Sequence, residues 1–220
     1  MLEATQDYFE AIHDTDRTGA LRAVDEALAR GLRPEDVLFQ VVLPAIERIR
    51  GPEGQACASS LAQQYMAAVI AAELTERMVP LFRSAPAVSC RVVMGNSRGD
   101  FHGLGRRIVV GCLRAMLMEV VDLGLNVAPE AFVDAAVSSG ARVIGISSMM
   151  DHTARGEGGC RAVRRLLQER GLEGTIRLAV GGAPYRFDPE MYRAVGADVW
   201  APDGLSAGQL IARLARGEAA

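Results

Sequence analysis

From residue 2 to about residue 83, apolar positions recur at intervals of three and four, the period of helices that each bury one face. Leu21, Val24 and Leu28 form one stripe, which Thr15 or Asp16 can cap and Gly31 stops. Pro34 with Glu35 and Asp36 opens a second, carrying Val37, Val41, Ile46 and Ile49 to Gly51. A third runs from about Ser59 through Met66, Val69, Ile70, Leu74, Met78 and Leu81. With the weaker segment Leu2 to Ile12, these stripes predict a four-helix bundle over residues 1–84. The stretch Ser84, Ala85, Pro86 and Ala87 breaks the helical period. Beyond it the pattern changes to short apolar runs at 91–94, 119–122, 142–147, 177–180 and 198–200, separated by helical segments near 104–117, 130–139, 160–170, 189–195 and 206–215. That alternation predicts an α/β unit over residues 88–220, a doubly wound parallel sheet of five strands with helices on both faces.

Composition narrows what such a chain can do. No charge-free apolar run approaches the ~20 residues of a membrane span, and the acidic segment from Met1 to Asp7 lacks the basic-then-apolar order of a signal peptide, so a soluble, cytoplasmic protein is expected. A net charge of -3 gives no basic footprint for nucleic acid. All 24 basic residues are arginine. The absence of lysine excludes a Schiff-base or phosphate-loop lysine, because arginine cannot supply that amine. Cys57, Cys90, Cys112 and Cys160 are too far apart for a zinc knuckle or redox dithiol, and are read as reduced packing residues.

Ligands of doubly wound sheets bind beyond the carboxyl ends of the strands, and three of those ends here are unusual. The first is followed by Asp100, Phe101, His102, Gly103, Leu104 and Gly105. The third is followed by Ser147, Ser148, Met149, Met150, Asp151, His152 and Thr153, and the fourth by Gly181 and Gly182. Ser147, Gly181 and Gly182 have no bulk to block a slot between strand ends, so something flat or elongated could enter there. A bulky residue at Gly182 or Ser147 is expected to close the slot and leave the fold intact. Plainer readings exist for each feature. His102 can be a loop histidine bonded to Asp100, the glycine pair can be a turn, and Asp100, His102, Asp151 and His152 together could hold zinc or iron as in a small metallohydrolase. His13 is expected to be exposed, and most methionines to be core filler.

Taken in order, Asp100, His102 and Gly105, then Ser147 and Met149, then Gly181 and Gly182, resemble the cobalamin-binding domain of corrinoid-dependent methyltransferases and mutases. The stretch 119–130 and the bundle placed before the sheet look like the methyl-carrier branch. The resemblance implies a helical cap followed by a Rossmann-like, flavodoxin-like cobalamin domain. It implies a corrinoid carrier that shuttles a methyl group between partner methyltransferases, on the donor and the acceptor side, rather than catalysing transfer itself. The cofactor's benzimidazole would leave cobalt and its tail would enter the slot, with His102 as the lower metal ligand, Asp100 orienting its ring and Thr153 continuing the relay. Phe101, Gly103, Leu104, Gly105, Ser147, Met149, Asp151, Gly181 and Gly182 would contact the cofactor, and Tyr65 and Met66 would cap the upper face of the corrin. A cobalamin-dependent sensor, light-responsive or acting through protein contacts, is the alternative on the same fold. The chain departs from the family pattern at several places. Met149 replaces a Leu, Asp151 a Thr or Ser, and Leu117 a frequent Gly. Residues 54–59 stand where many carriers have a Gly-Glu-x-Phe-Leu-Pro segment. Glycines 156, 158 and 159 predict a mobile loop.

Overall fold

The structure is a computed structural model and describes residues 2–50, 59–82 and 90–218. The expected break at 84–87, the segment 54–58 and Cys57 lie outside the described residues. The helical part begins with α1 (Leu2–His13) and α2 (Arg17–Ala29). Asp16 starts α2 by accepting from the Gly19 N–H at 2.9 Å, which satisfies one of the amides that a helix start leaves without a partner. The next apolar stripe is a compound rod: α3 (Pro34–Val37), a π-helical turn over Leu38–Val42, and α4 (Leu43–Arg50). The π turn buries Leu38, Val41 and Val42, a local underwinding that departs from the 3.6-residue period of the flanking helices. Helix α5 (Leu61–Met78) starts at a capping box in which Ser60 and Gln63 bond each other's backbone N–H, and it ends in a short 3-10 turn, Val79–Leu81.

The sheet holds β1 (Arg91–Asn96), β2 (Glu119–Asp122), β3 (Val143–Ser147), β4 (Arg177–Gly181) and β5 (Val199–Trp200), all parallel, in the order β2-β1-β3-β4-β5. Successive side chains point to opposite faces. Val93, Ile144, Ile146, Leu178 and Val180 meet α7 (Pro129–Ser139) and α9 (Cys160–Glu169) on one side. Val92, Met94, Val143 and Ala179 meet α6 (Leu104–Ala115) and α12 (Gly204–Arg216) on the other. Three short helices complete the unit: α8 (Asp151–Arg155), α10 (Ala183–Phe187) and α11 (Met191–Ala194). The pattern of apolar runs does not foresee α8 or α10, which span five residues each.

The two parts share a core. Ile108, Cys112 and Ala115 of α6 and Leu205 of α12 join the cluster formed by Tyr8, Ile12, Val24, Ile70 and Leu74. The contact is close because Gly111 has no side chain: a Cβ there would lie 2.7 Å from the Ala68 carbonyl oxygen of α5. Cys112 and Cys160 are buried, and Cys90 places its sulfur 2.9 Å from the Ala215 carbonyl oxygen, in keeping with a packing role. No helix among the described residues is long and apolar enough to cross a membrane.

Glycines 156, 158 and 159 correct an expectation. Instead of loosening the chain they permit a tight seam, since a Cβ would lie 2.4 Å from the His152 carbonyl at Gly156, 3.0 Å from Arg98 Cβ at Gly158 and 2.6 Å from the Thr153 carbonyl at Gly159. Arg98 N–H also donates to the Gly158 carbonyl at 3.0 Å.

Candidate functional site

Strand order reverses between β1 and β3, which leaves a crevice beyond their ends. The loop after β1 turns at Gly99, whose φ of +82° favours glycine, and Asp100 closes the turn by donating its N–H to the Ser97 carbonyl at 2.9 Å. The Asp100 carboxylate is fully buried. Oδ1 accepts from the His102 N–H at 2.9 Å and lies 3.2 Å from His102 Nδ1. Oδ2 accepts from the Met149 N–H and from Thr153 Oγ1, the latter at 3.0 Å. Burial pushes the pKa of this carboxyl up, yet the bonds from the His102 and Met149 amides, Thr153 and the His102 ring together outweigh it and hold the pKa below the usual carboxylate value.

An ionised Asp100 can only accept, so the proton of a neutral His102 ring sits on Nδ1 and the lone pair on Nε2. The ring is 57% exposed, and His102 lines the cavity at the strand ends. A second polar arm reaches the same loop. Asn96 Nδ2 donates to the His102 carbonyl at 3.1 Å, while Arg106, buried on α6, donates from Nε to Asn96 Oδ1 at 3.0 Å and from Nη1 to Asp122. Neither Asn96 nor Arg106 stands out in the sequence, Arg106 being one arginine among 24.

The cavity has a volume of about 510 Å³ and runs from the strand ends between the sheet and helices α6 and α12. Gly103, Leu104, Gly105, Ser147, Met149, Gly181 and Gly182 line it with His102, and Met94, Ala179, Ala207 and Ile211 form inner walls that the sequence does not single out. The two glycines where β4 ends differ. A Cβ on Gly181 would meet nothing within 4 Å, whereas Gly182, at φ +126°, would put one 1.9 Å from the Ser148 carbonyl oxygen. The expectation that Gly182 tolerates bulk is therefore wrong, because backbone rather than open space stands in the way.

Other expected residues fall elsewhere. Phe101 is 65% exposed and is absent from the cavity lining. Asp151 opens α8 and pairs with Arg155 at 2.9 Å outside the cavity. Thr153 lies behind Asp100, not against the cavity. Tyr65 and Met66 pack on the bundle core, and the cap residues that reach the cavity are Ser59, Leu61 and Gln64. His13 is exposed beside Asp14. Among the described residues no three His, Cys, Asp or Glu side chains form a metal cluster, which sets aside the metallohydrolase reading: Asp100 is already saturated and His152 is exposed.

Comparison with known proteins finds matches over both parts of the chain. A family model described as a B12 binding domain matches residues 90–209, and a second B12 binding domain model matches residues 4–74. Trimethylamine corrinoid protein 2 of Methanosarcina mazei is 27% identical over 211 residues, covering 93% of this chain and 91% of that one. Dimethylamine corrinoid protein 2 of the same organism is 40% identical over 93 residues, and the match spans only 42% of each chain. Among solved structures, a novel cobalamin-binding protein from Desulfitobacterium hafniense superposes with a TM-score of 0.75 at 18% identity, covering 97% of this chain and 98% of that one. The methanol:cobalamin methyltransferase complex of Methanosarcina barkeri gives 0.72 at 22% identity, covering 98% of this chain and 80% of that one. At these identities the two structures share the fold.

Proposed function

Because the chain belongs to the B12-binding domain family, we propose that it is the corrinoid carrier of a methyltransferase system, holding cobalamin with its benzimidazole displaced and His102 on the cobalt. The observation that carries this reading is the run His102, Asp100, Thr153 at the mouth of a cavity that enters the sheet at its switch point. The residues present fit the group. A Cβ on Gly181 would project into open space, and Met94, a flexible thioether folded across Gly145, can yield as a ligand enters. When bound, cobalamin supplies a cobalt centre that accepts a methyl group from one partner methyltransferase and gives it up to another.

The chain's own residues hold and tune that centre. His102 Nε2 would be the metal ligand, and Asp100 fixes the ring by keeping its proton on Nδ1, as carboxylates behind metal-binding histidines do. Thr153 Oγ1 lies 3.0 Å from Asp100 and 2.8 Å from the Met150 carbonyl, so its single proton can turn from one to the other as charge on Asp100 changes. Ser147, Gly181, Ala179, Ala207 and Ile211 would take the nucleotide tail and exclude water from it. The names of the relatives favour a methylated amine as the donor side of the system.

The test is retention and colour. Protein mixed with hydroxocobalamin and desalted should stay coloured, and His102→Ala should keep the cofactor while its visible spectrum moves toward water-ligated cobalt. A colourless wild-type protein at saturating cofactor contradicts the reading.

A further inference from the structure

Gln64 is the fourth residue of α5, is only 5% exposed and lines the cavity from the cap side. Chemistry fixes which way its amide points. The atom 3.0 Å from the Ser59 carbonyl must be Nε2, since a carbonyl oxygen accepts and does not donate. That leaves Oε1 as a buried acceptor with no partner among the described residues. A buried acceptor without a donor forfeits a hydrogen bond that it had in water, and folded proteins leave few of them. The hydroxyl of Tyr8 is buried in the same condition but lies away from the cavity. Gln64, by contrast, is placed where a bound molecule could complete it.

We infer that Gln64 recognises the cofactor: its Oε1 accepts a hydrogen bond from a donor that the bound corrinoid carries. The cap thereby adds a polar, orientation-specific contact to a cavity whose cap wall is otherwise set by Leu61 and Ser59. This inference rests on the cobalamin reading above. A corrinoid offers such a donor in two places, the N–H groups of its peripheral amides and the O–H of a water held as upper ligand. Both give the same chemistry at Oε1, and changing the upper ligand separates them.

The experiment compares wild type with Gln64→Met, which keeps the length of the side chain and removes its polar end, by titrating each apoprotein with aquocobalamin and with methylcobalamin. The variant should bind aquocobalamin about threefold to tenfold more weakly, the size of one neutral hydrogen bond. Its apoprotein should melt close to wild type, because the change removes an unsatisfied buried acceptor together with the Nε2 bond to the carbonyl of half-buried Ser59. Equal weakening toward both cobalamins places the donor on the ring amides, and weakening confined to aquocobalamin places it on the axial water. Unchanged affinity for both overturns the role of Gln64 while leaving the cobalamin reading in place; a wild-type protein that binds neither overturns the reading itself. Should the variant not fold, carbon-13 labelling of glutamine gives the answer in wild type. The Gln64 Cδ resonance should shift on loading, and an unshifted resonance overturns the inference.

Discussion

At the scale of single residues, the site is a histidine whose proton is assigned by its neighbours. Asp100 gathers donors from two loops, the His102 amide on one side and the Met149 amide and Thr153 hydroxyl on the other, so its charge is held where the loops after β1 and β3 meet. Removing one donor should matter less than removing the charge. Thr153→Val should leave the visible spectrum of the loaded protein close to wild type, whereas Asp100→Asn, which no longer forces the proton onto Nδ1, should reduce methyl transfer ~10- to 100-fold, as losses behind a metal ligand usually do. Rates measured with the same methyl donor and acceptor rank the two; a larger loss for Thr153→Val than for Asp100→Asn would contradict this division of roles. Asp100, His102 and Thr153 were legible in the sequence because a short loop motif carries two of them. Asn96, Arg106 and Gln64 were not, since each matters through a partner that only the fold brings near.

At the scale of elements, the strands and long helices could be read from periodicity, because each buries enough apolar surface to leave a regular stripe. The π turn at Leu38–Val42 and the short helices α8 and α10 could not, having too few residues to establish a period. The end of β4 gives the sharpest contrast between pattern and space. Gly181 and Gly182 look alike in sequence and both line the cavity, yet a side chain would meet open space at the first and the Ser148 carbonyl at the second. Gly181→Leu should fold with an apoprotein melting temperature near wild type and bind cobalamin on the order of 100-fold more weakly, because its side chain occupies the slot that would bury the tail. Gly182→Ala should instead destabilise the apoprotein by ~2 kcal/mol or more, from a strained φ and a backbone clash. Thermal melts and cofactor titrations of both proteins decide the matter, and a Gly181→Leu protein with wild-type affinity would mean that the tail goes elsewhere.

At the scale of the whole molecule, the cap and the sheet are built as neighbours in one core, with Gly111 of α6 packed directly on Ala68 of α5 and the cavity lined from both parts. Buried acids in the cap and on the far face of the sheet set an alkaline limit. Burial pushes the Cys160 thiol up to about 12, and burial also raises Tyr8 and Tyr185. A raised pKa in the folded state means stability that is complete below the unfolded value and is lost as pH rises toward the folded one. Apoprotein stability should therefore decline from about pH 8.5, the ordinary thiol value, and Cys160→Ala should flatten the first part of that decline in denaturant melts; identical slopes would mean that Cys160 ionises without cost. The central claim concerns cobalt and one nitrogen. Protein grown with nitrogen-15 histidine and loaded with reduced, cobalt(II) cobalamin should give an electron paramagnetic resonance spectrum whose cobalt lines are split into doublets, since the axial nitrogen then has spin one-half and comes from His102. Triplets that persist in the labelled protein would show that the cofactor's own benzimidazole still holds the metal, and would contradict the account.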